Sequence, residues 1–420
     1  MKLKQIRVDG YKNLVNATLE LGDFNVLVGP NNSGKSNLLE AIQLLWPICF
    51  GDDKLRKAIF EGMTPPSRVV SSICHLENHK NKPMTIGVAF EITKDGKVWS
   101  VDYKVKIQCG TEKNENVGFL SETLTAKEPS KTGPATTYIN REDKELKVFG
   151  EPPYPISKDN SSLLAIRSLH PDFQGLPDEL KMFVESIVLI GNTDIFAVSP
   201  RNLRRSIGKE ESIIGLHVSS FDLLFIVDKI KEEGKYYELF KQSLCDILNL
   251  EDIEIIAKDI PMPSRSHLSD EKTQSQKKVQ RIRFLLAKRK GDVHALIDEY
   301  SDGTLAVAAI LAMLLSKGRI EPIICIEEPE NYLHPAALEK LLRFLQDHAD
   351  KWPVLITTHS PYLLNGVKPE DVNVAIVDET GATHFDKIEN TKQLRHYLNK
   401  DLMSFGDLLS SNFEEVLGGK

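Results

Sequence analysis

The chain has 420 residues, of which 41% are hydrophobic and 27% charged, and it carries a formal net charge of −7. These are the proportions of a soluble globular protein with length for two or three domains, and the acidic balance argues against a protein whose main business is coating nucleic acid. The charged opening MKLKQIRVDGYKNL lacks the apolar stretch of a secretory signal, no run reaches the roughly 18 apolar residues of a membrane span, and five scattered cysteines without a C-x-x-C pair read as reduced thiols of a cytoplasmic protein.

Residues 1–22 pattern as one or two strands, with Ile6, Val8, Leu19 and Leu21 facing inward. Phe24–Val28 is an apolar run of strand length. It feeds Gly29-Pro30-Asn31-Asn32-Ser33-Gly34-Lys35-Ser36, which satisfies G-x-x-x-x-G-K-[ST]. A helix follows, with Leu38, Leu39, Ile42, Leu45 and Trp46 on one face. Strand, glycine-bounded loop and helix together predict a phosphate site. The glycines let backbone N–H groups turn inward, and the helix N-terminus adds partial positive charge. Lys35 can reach the β- and γ-phosphates of ATP, and the Ser36 hydroxyl can ligate Mg²⁺.

Residues 51–75 are charged and contain a Thr64-Pro65-Pro66-Ser67 loop; Cys74-His75 with His79 lacks the further ligands a zinc site needs. Residues 84–107 predict an antiparallel hairpin turning at Asp95-Gly96, with Trp99, Val101, Tyr103, Val105 and Ile107 on its buried face. Polar residues 110–160 predict loops with short strands. Helical spacing then covers 176–189, 221–233 and 235–248, with no sustained heptads. The basic segment 270–290 carries Lys277, Lys278, Arg281, Arg283, Lys288, Arg289 and Lys290, which suits either a solvent-facing strand or a contact for nucleic acid or a partner.

Four elements follow between 300 and 361. Tyr300-Ser301-Asp302-Gly303-Thr304 precedes an apolar helix, and Ser301 with the Gly303 backbone can form a small anion cradle. Pro322–Ile326 is a buried strand ending in Glu327-Glu328. Next, Pro329–Pro335 opens a helix. Last, Val354–Thr358 is a strand ending at His359-Ser360-Pro361. Two carboxylates at a strand tip lie where open α/β sheets form their ligand crevice. One can hold the metal while its neighbour polarises an attacking water, and a neutral His at the next tip can donate to phosphate or water. Singly these are ordinary strand ends, turns and N-caps; in this order behind a P-loop they point to one site.

The set resembles the nucleotide-binding domain of ABC-type ATPases, in the soluble branch that includes RecF, SMC proteins and the overcoming-lysogenisation-defect (OLD) ATPases. The resemblance covers about 30 N-terminal and about 120 C-terminal residues. It implies an α/β ABC-type P-loop ATPase head with an antiparallel β-lobe and a helical insertion, divided as residues 1–160 (first part of the head with the lobe), 161–270 (insertion) and 271–420 (second part of the head). Gly29, Asn31, Asn32, Ser33, Gly34, Lys35, Ser36 and Asn37 correspond to Walker A, and Tyr300–Thr304 to a variant signature with Asp302 replacing a glycine. Ile323–Glu328 corresponds to Walker B, ending Glu-Glu rather than Asp-Glu, and Asn331–His334 to the D-loop. His359 corresponds to the switch histidine. The implied roles are Ser36 and Glu327 on Mg²⁺, Lys35, Glu328 and His359 in catalysis, and Ser301 and Gly303 facing the nucleotide of a second copy in a head-to-tail homodimer.

The absence of a long coiled coil sets the chain apart from SMC proteins. The 61 residues after His359 are too few for the Toprim nuclease domain of OLD nucleases. The pattern, with Ser404–Leu409, is similar to stand-alone bacterial phage-defence ATPases paired with a separate effector. The resemblance implies a Mg-ATP-driven switch controlling a nuclease or other effector, with any nucleic-acid contact indirect and no membrane partner. The alternative is a RecF-type repair ATPase acting directly on DNA.

Overall fold

A computed structural model of the chain describes residues 1–52, 54, 56, 63–64, 68–69, 82–94, 96–108, 118–128, 133–169, 176–190, 223–261, 279–316 and 323–388. The basic residues Lys277 and Lys278, the Cys74–His79 cluster and the Ser404–Leu409 tail lie outside these. The chain divides into two units, one of Met1–Leu189, Arg319–Pro329 and Leu345–Lys420, the other of Ile190–Gly318 and Glu330–Phe344.

Besides a short two-stranded pairing of Met63–Thr64 with Arg68–Val69, the first unit holds two larger sheets among the described residues. In β1 (Lys2–Asp9) and β2 (Ala17–Glu20), Ile6, Val8 and Leu19 alternate into the core, as period-two patterning requires. The hairpin β4 (Met84–Lys94) and β5 (Lys97–Gln108) pairs Lys94 with Lys97 across a two-residue turn, where Gly96 supplies a φ of 73°. Val101, Tyr103, Val105 and Ile107 are buried as expected, with Trp99 half-buried near the turn.

The polar stretch expected to hold loops with short strands continues the meander as β6 (Gly118–Lys127), longer than expected, β7 (Thr136–Glu142), β8 (Glu145–Val148) and β9 (Tyr154–Pro155). Polar residues on its wet face mask the alternation that buries Phe119, Leu124, Ala126 and Ile139. The result is an eight-stranded antiparallel sheet ordered β9-β8-β7-β6-β5-β4-β1-β2.

The second sheet has six strands, ordered β10-β14-β15-β3-β16-β17, where β3 is Phe24–Val28, β10 Ile187–Ile190, β14 Ile323–Glu327, β15 Val354–Thr358, β16 Val372–Val377 and β17 Thr383–Lys387. Strands β14, β15, β3 and β16 run parallel. Strands β3 and β15 are buried at every position, which is why they read as mostly apolar runs without alternation, and the buried Asn25 of β3 donates to the carbonyls of Gly22 and Val354.

Helix α1 (Lys35–Gln43) stops because Pro47 has no N–H to return to Gln43, and α2 (Leu45–Phe50) restarts the helical path. It packs against α3 (Ser162–Leu169) and α4 (Leu176–Ser186). The helix expected over 176–189 ends at Ser186, where the β-branched Ile187 and Val188 favour strand β10.

In the second unit, α5 (Leu223–Glu233), α6 (Tyr237–Leu248) and α7 (Asp302–Leu315) pack together. Beside them lies an antiparallel sheet of β11 (Asp252–Pro261), β12 (Val279–Lys288) and β13 (Ala295–Leu296). Every residue of α7 from Thr304 to Leu315 is buried. Each large apolar side chain there contributes about 1.5–3 kcal/mol, so the helix is a structural axis of its unit. Helix α8 (Pro335–Asp347) buries Leu338, Leu341, Leu342 and Leu345 along one stripe. No helix of the described residues is long and apolar enough to cross a membrane.

Candidate nucleotide-binding site

The loop between β3 and α1 is shaped by positive backbone angles at Asn32 (φ 65°) and Gly34 (φ 87°), the second of which only glycine adopts freely. At Gly29 a Cβ would sit 2.7 Å from Ser33 Oγ and 2.8 Å from the Ala375 carbonyl oxygen, so the chain passes there only without a side chain. Lys35 is buried, and its ammonium donates to the carbonyls of Gly29 (2.8 Å) and Pro30 (2.9 Å), curling the side chain back over the loop. Asn31, Asn32 and Ser36 are exposed at the loop's mouth. Ser33 is fully buried, with a hydroxyl that has no hydrogen-bond partner. Asn37, on the first turn of α1, donates to Asn13 Oδ1 at 2.7 Å.

Parallel pairing brings three strand tips side by side. The register sets Glu327 of β14 against Thr357 of β15, and Thr358 against Val28 of β3. The Ser36 hydroxyl consequently donates to Glu327 Oε1, across 291 positions of sequence. Burial, opposed by that hydrogen bond and reinforced by Glu328 and Glu40, pushes the Glu327 carboxyl above its ordinary range. Glu328 adopts a left-handed backbone (φ 44°), while its N–H donates to the Thr357 carbonyl at 2.9 Å. A non-glycine residue held in that region costs of order 1 kcal/mol or more, and such strain gathers at functional sites. It turns the carboxylate of Glu328 toward His359, whose Nδ1 lies 3.3 Å from Oε1. Glu328 is mostly buried and His359 half-exposed. The structure thus brings Lys35, Ser36, Glu327, Glu328 and His359 to one edge of one sheet.

Ser301 and Gly303 lie in the other unit. Ser301 caps α7, its hydroxyl accepting from Thr304 N at 3.4 Å. A Cβ on Gly303 would stand 2.8 Å from the Tyr332 carbonyl oxygen, so the signature-like segment and the turn at Asn331–His334 pack directly together.

Of the basic segment, Val279–Lys288 form strand β12, and several of the described charges are spent inside the chain. Arg283 pairs with the buried Asp228 at 2.8 Å and lies over the Phe225 ring; Lys288 pairs with Glu251 at 3.0 Å; Arg289 covers the Tyr300 ring. Clustered charge in the sequence concealed partners that folding supplies from distant positions.

Sequence reasoning also missed Asn13 and Thr383, which touch the loop from the opening turn and from β17. A lone Asn and a lone Thr carry no pattern by themselves.

The residues present fit a magnesium nucleotide. A glycine cradle excludes side chains where phosphate would approach, a buried ammonium stands at its wall, and a hydroxyl and a carboxylate offer the hard oxygens that Mg²⁺ takes.

The profile of the AAA ATPase domain family matches residues 1–364. No curated protein matches the sequence. Among solved structures, the SMC head bound to the C-winged helix domain of ScpA is similar with a TM-score of 0.51 and 12% identity, covering 94% of this chain and 100% of that one. The SMC head domain from Thermotoga maritima gives 0.45 and 14%, covering 93% and 100%. The Smc head with an extended coiled coil, bound to the C-terminal domain of ScpA derived from Pyrococcus furiosus, gives 0.47 and 12%, covering 96% and 100%. The first of these likenesses speaks for the fold: a mixed α/β ABC-type P-loop ATPase head with a large antiparallel sheet.

Proposed function

The chain belongs to the AAA ATPase domain family and is an ATPase, and from that premise we propose that it is a Mg-ATP-driven switch of a bacterial antiphage defence system, controlling a separate effector such as a nuclease. The observation that carries the chemical part is the meeting of Ser36 with Glu327 and of Glu328 with His359 at adjacent strand tips. Lys35, whose ammonium carries three N–H donors and meets the carbonyls of Gly29 and Pro30, also reaches the phosphate oxygens, where both partners of the bond are charged. Ser36 and Glu327 hold the metal, and Asn31, Asn32 and Asn37 line the approach. Held there, Mg²⁺ would supply positive charge to the phosphates and to the Glu327 carboxyl, which burial raises and Glu328 and Glu40 raise further. Glu328 accepts the proton of the attacking water. His359, within reach of the same carboxylate, orients it.

Ser301 and Gly303 serve the nucleotide of a second copy in this reading. Support comes from their motif, from their packing against the Asn331–His334 turn, and from their membership of a different unit from the loop. A twofold dimer builds two such composite sites with one interface. Mixing Lys35→Ala chains with Ser301→Arg chains tests it. The mixed dimer holds one doubly damaged and one intact site, so part of the turnover returns. No recovery across mixing ratios, with mixed dimers confirmed, rules out sites shared between copies.

The defence role and the separate effector rest on the similarity of the motif set to stand-alone phage-defence ATPases. The internal pairing of Arg283, Lys288 and Arg289 favours an indirect over a direct part for nucleic acid. The purified protein, incubated with ATP, Mg²⁺ and plasmid, phage DNA or tRNA, is expected to leave all of them intact. Cleavage that disappears in Glu328→Gln would make the chain an effector in its own right. Tight, salt-sensitive binding of the purified protein to DNA would favour the RecF-type alternative.

A further inference from the structure

We infer that Thr383 and Asn13 are positioning residues of the nucleotide site, holding successive peptide planes of the phosphate loop so that its N–H groups face the phosphates. The inference rests on the reading of residues 29–36 as that loop.

A loop that takes anions on its N–H groups must place its carbonyls elsewhere, and each carbonyl needs a donor. The loop's own atoms supply most of them. The Lys35 ammonium serves Gly29 and Pro30, Ser33 N donates to Pro30 O at 3.2 Å, and Leu38 N donates to Gly34 O at 3.0 Å. The carbonyls of Asn32 and Ser33 are met from outside. Asn13 Nδ2 donates to Asn32 O at 3.3 Å, and the buried Thr383 hydroxyl donates to Ser33 O at 3.1 Å.

These donors are themselves held. Thr383 N donates to Asn13 O at 2.9 Å, Leu14 and Thr383 form a parallel bridge, and Asn37 Nδ2 fixes Asn13 Oδ1 at 2.7 Å. In addition, a Cβ on Gly34 would come 2.6 Å from Thr383 Oγ1 and 3.0 Å from Asn13 Oδ1, so both side chains lie directly against the glycine backbone.

The Ser33–Gly34 peptide is where this matters most. In a trans peptide the C=O and the following N–H point in opposite directions, so anchoring Ser33 O on Thr383 aims the Gly34 N–H away from β17. Gly34 has no Cβ and tolerates φ of either sign, so its own conformational preference does not oppose a flip of that plane. A flip would present a carbonyl where an N–H is needed. The Thr383 hydroxyl is the described contact that holds the plane.

The test uses the full chain. Thr383→Val keeps shape and β-branching but removes the donor, whereas Thr383→Ser keeps the donor. The affinity of Thr383→Val for a fluorescent ATP analogue with Mg²⁺ is expected to fall about 5- to 10-fold, and that of Thr383→Ser to stay within about 2-fold of wild type. In steady state the Val variant's KM should rise by more than its kcat falls, with Tm within about 3 °C of wild type. Asn13→Ala, at a half-exposed position, should weaken binding in the same direction and keeps the inference testable if the Val variant does not fold.

Unchanged affinity in both Thr383→Val and Asn13→Ala overturns the inference, as does equal loss in the Ser and Val variants. A folded wild-type chain that binds no ATP would instead overturn the phosphate-loop reading, and this inference with it.

Discussion

Glu328→Gln is expected to bind ATP and leave it unhydrolysed, with turnover reduced about 10²- to 10⁴-fold, the usual worth of a positioned general base. The substitution preserves the side-chain length and the N–H bond to Thr357, and it asks for the same left-handed backbone that Glu328 already occupies. The negative charge and the ability to accept a proton are removed, and one of the oxygens that can face His359 becomes an NH2 donor. Ser36 and Glu327 retain their contact, so metal and nucleotide binding should survive. Single-turnover hydrolysis beside equilibrium binding separates the two effects. Hydrolysis at the wild-type rate would show that the roles of the two carboxylates are wrongly divided, and Glu327→Gln would then become the variant to measure.

The second large effect is expected at Lys35. Its ammonium is buried at the inner wall of the loop and already makes two charged hydrogen bonds to backbone carbonyls. Bonds of that kind contribute about 1.5–3 kcal/mol each, so Lys35→Ala should lower ATP affinity by about 100-fold or more once they are made to phosphate. The same change strips two carbonyls of their donor, so some loss of Tm should accompany it. Isothermal titration with ATP and Mg²⁺ measures the affinity directly. Retention of wild-type affinity would mean that the phosphates lie elsewhere.

The two substitutions separate because their residues act at different stages, Lys35 in holding the substrate and Glu328 in the reaction. A chain in which both lost binding together would point to a collapsed loop rather than to distinct roles.

What the sequence determined by itself was local. Phe24–Val28 and Val354–Thr358 were legible as strands because both faces are buried, which leaves a mostly apolar run with no polar alternation. The loop from Gly29 to Ser36 was legible because its glycines are demanded by backbone geometry, and Gly34 meets that demand with φ 87°. The motif order carried the rest of the candidate site.

The tertiary structure decided what depends on distant partners. Parallel register put Ser36 on Glu327, across 291 positions of sequence, and β14 beside β15 put Glu328 next to His359. The strain at Glu328 arises at the end of that pairing and leaves no mark in composition. Arg283 looked like exposed charge until Asp228 arrived from helix α5, and Thr383 looked like any strand threonine until β17 laid it against Gly34. A side chain's partner is chosen by the fold, so its role becomes legible only when the two are placed together in space.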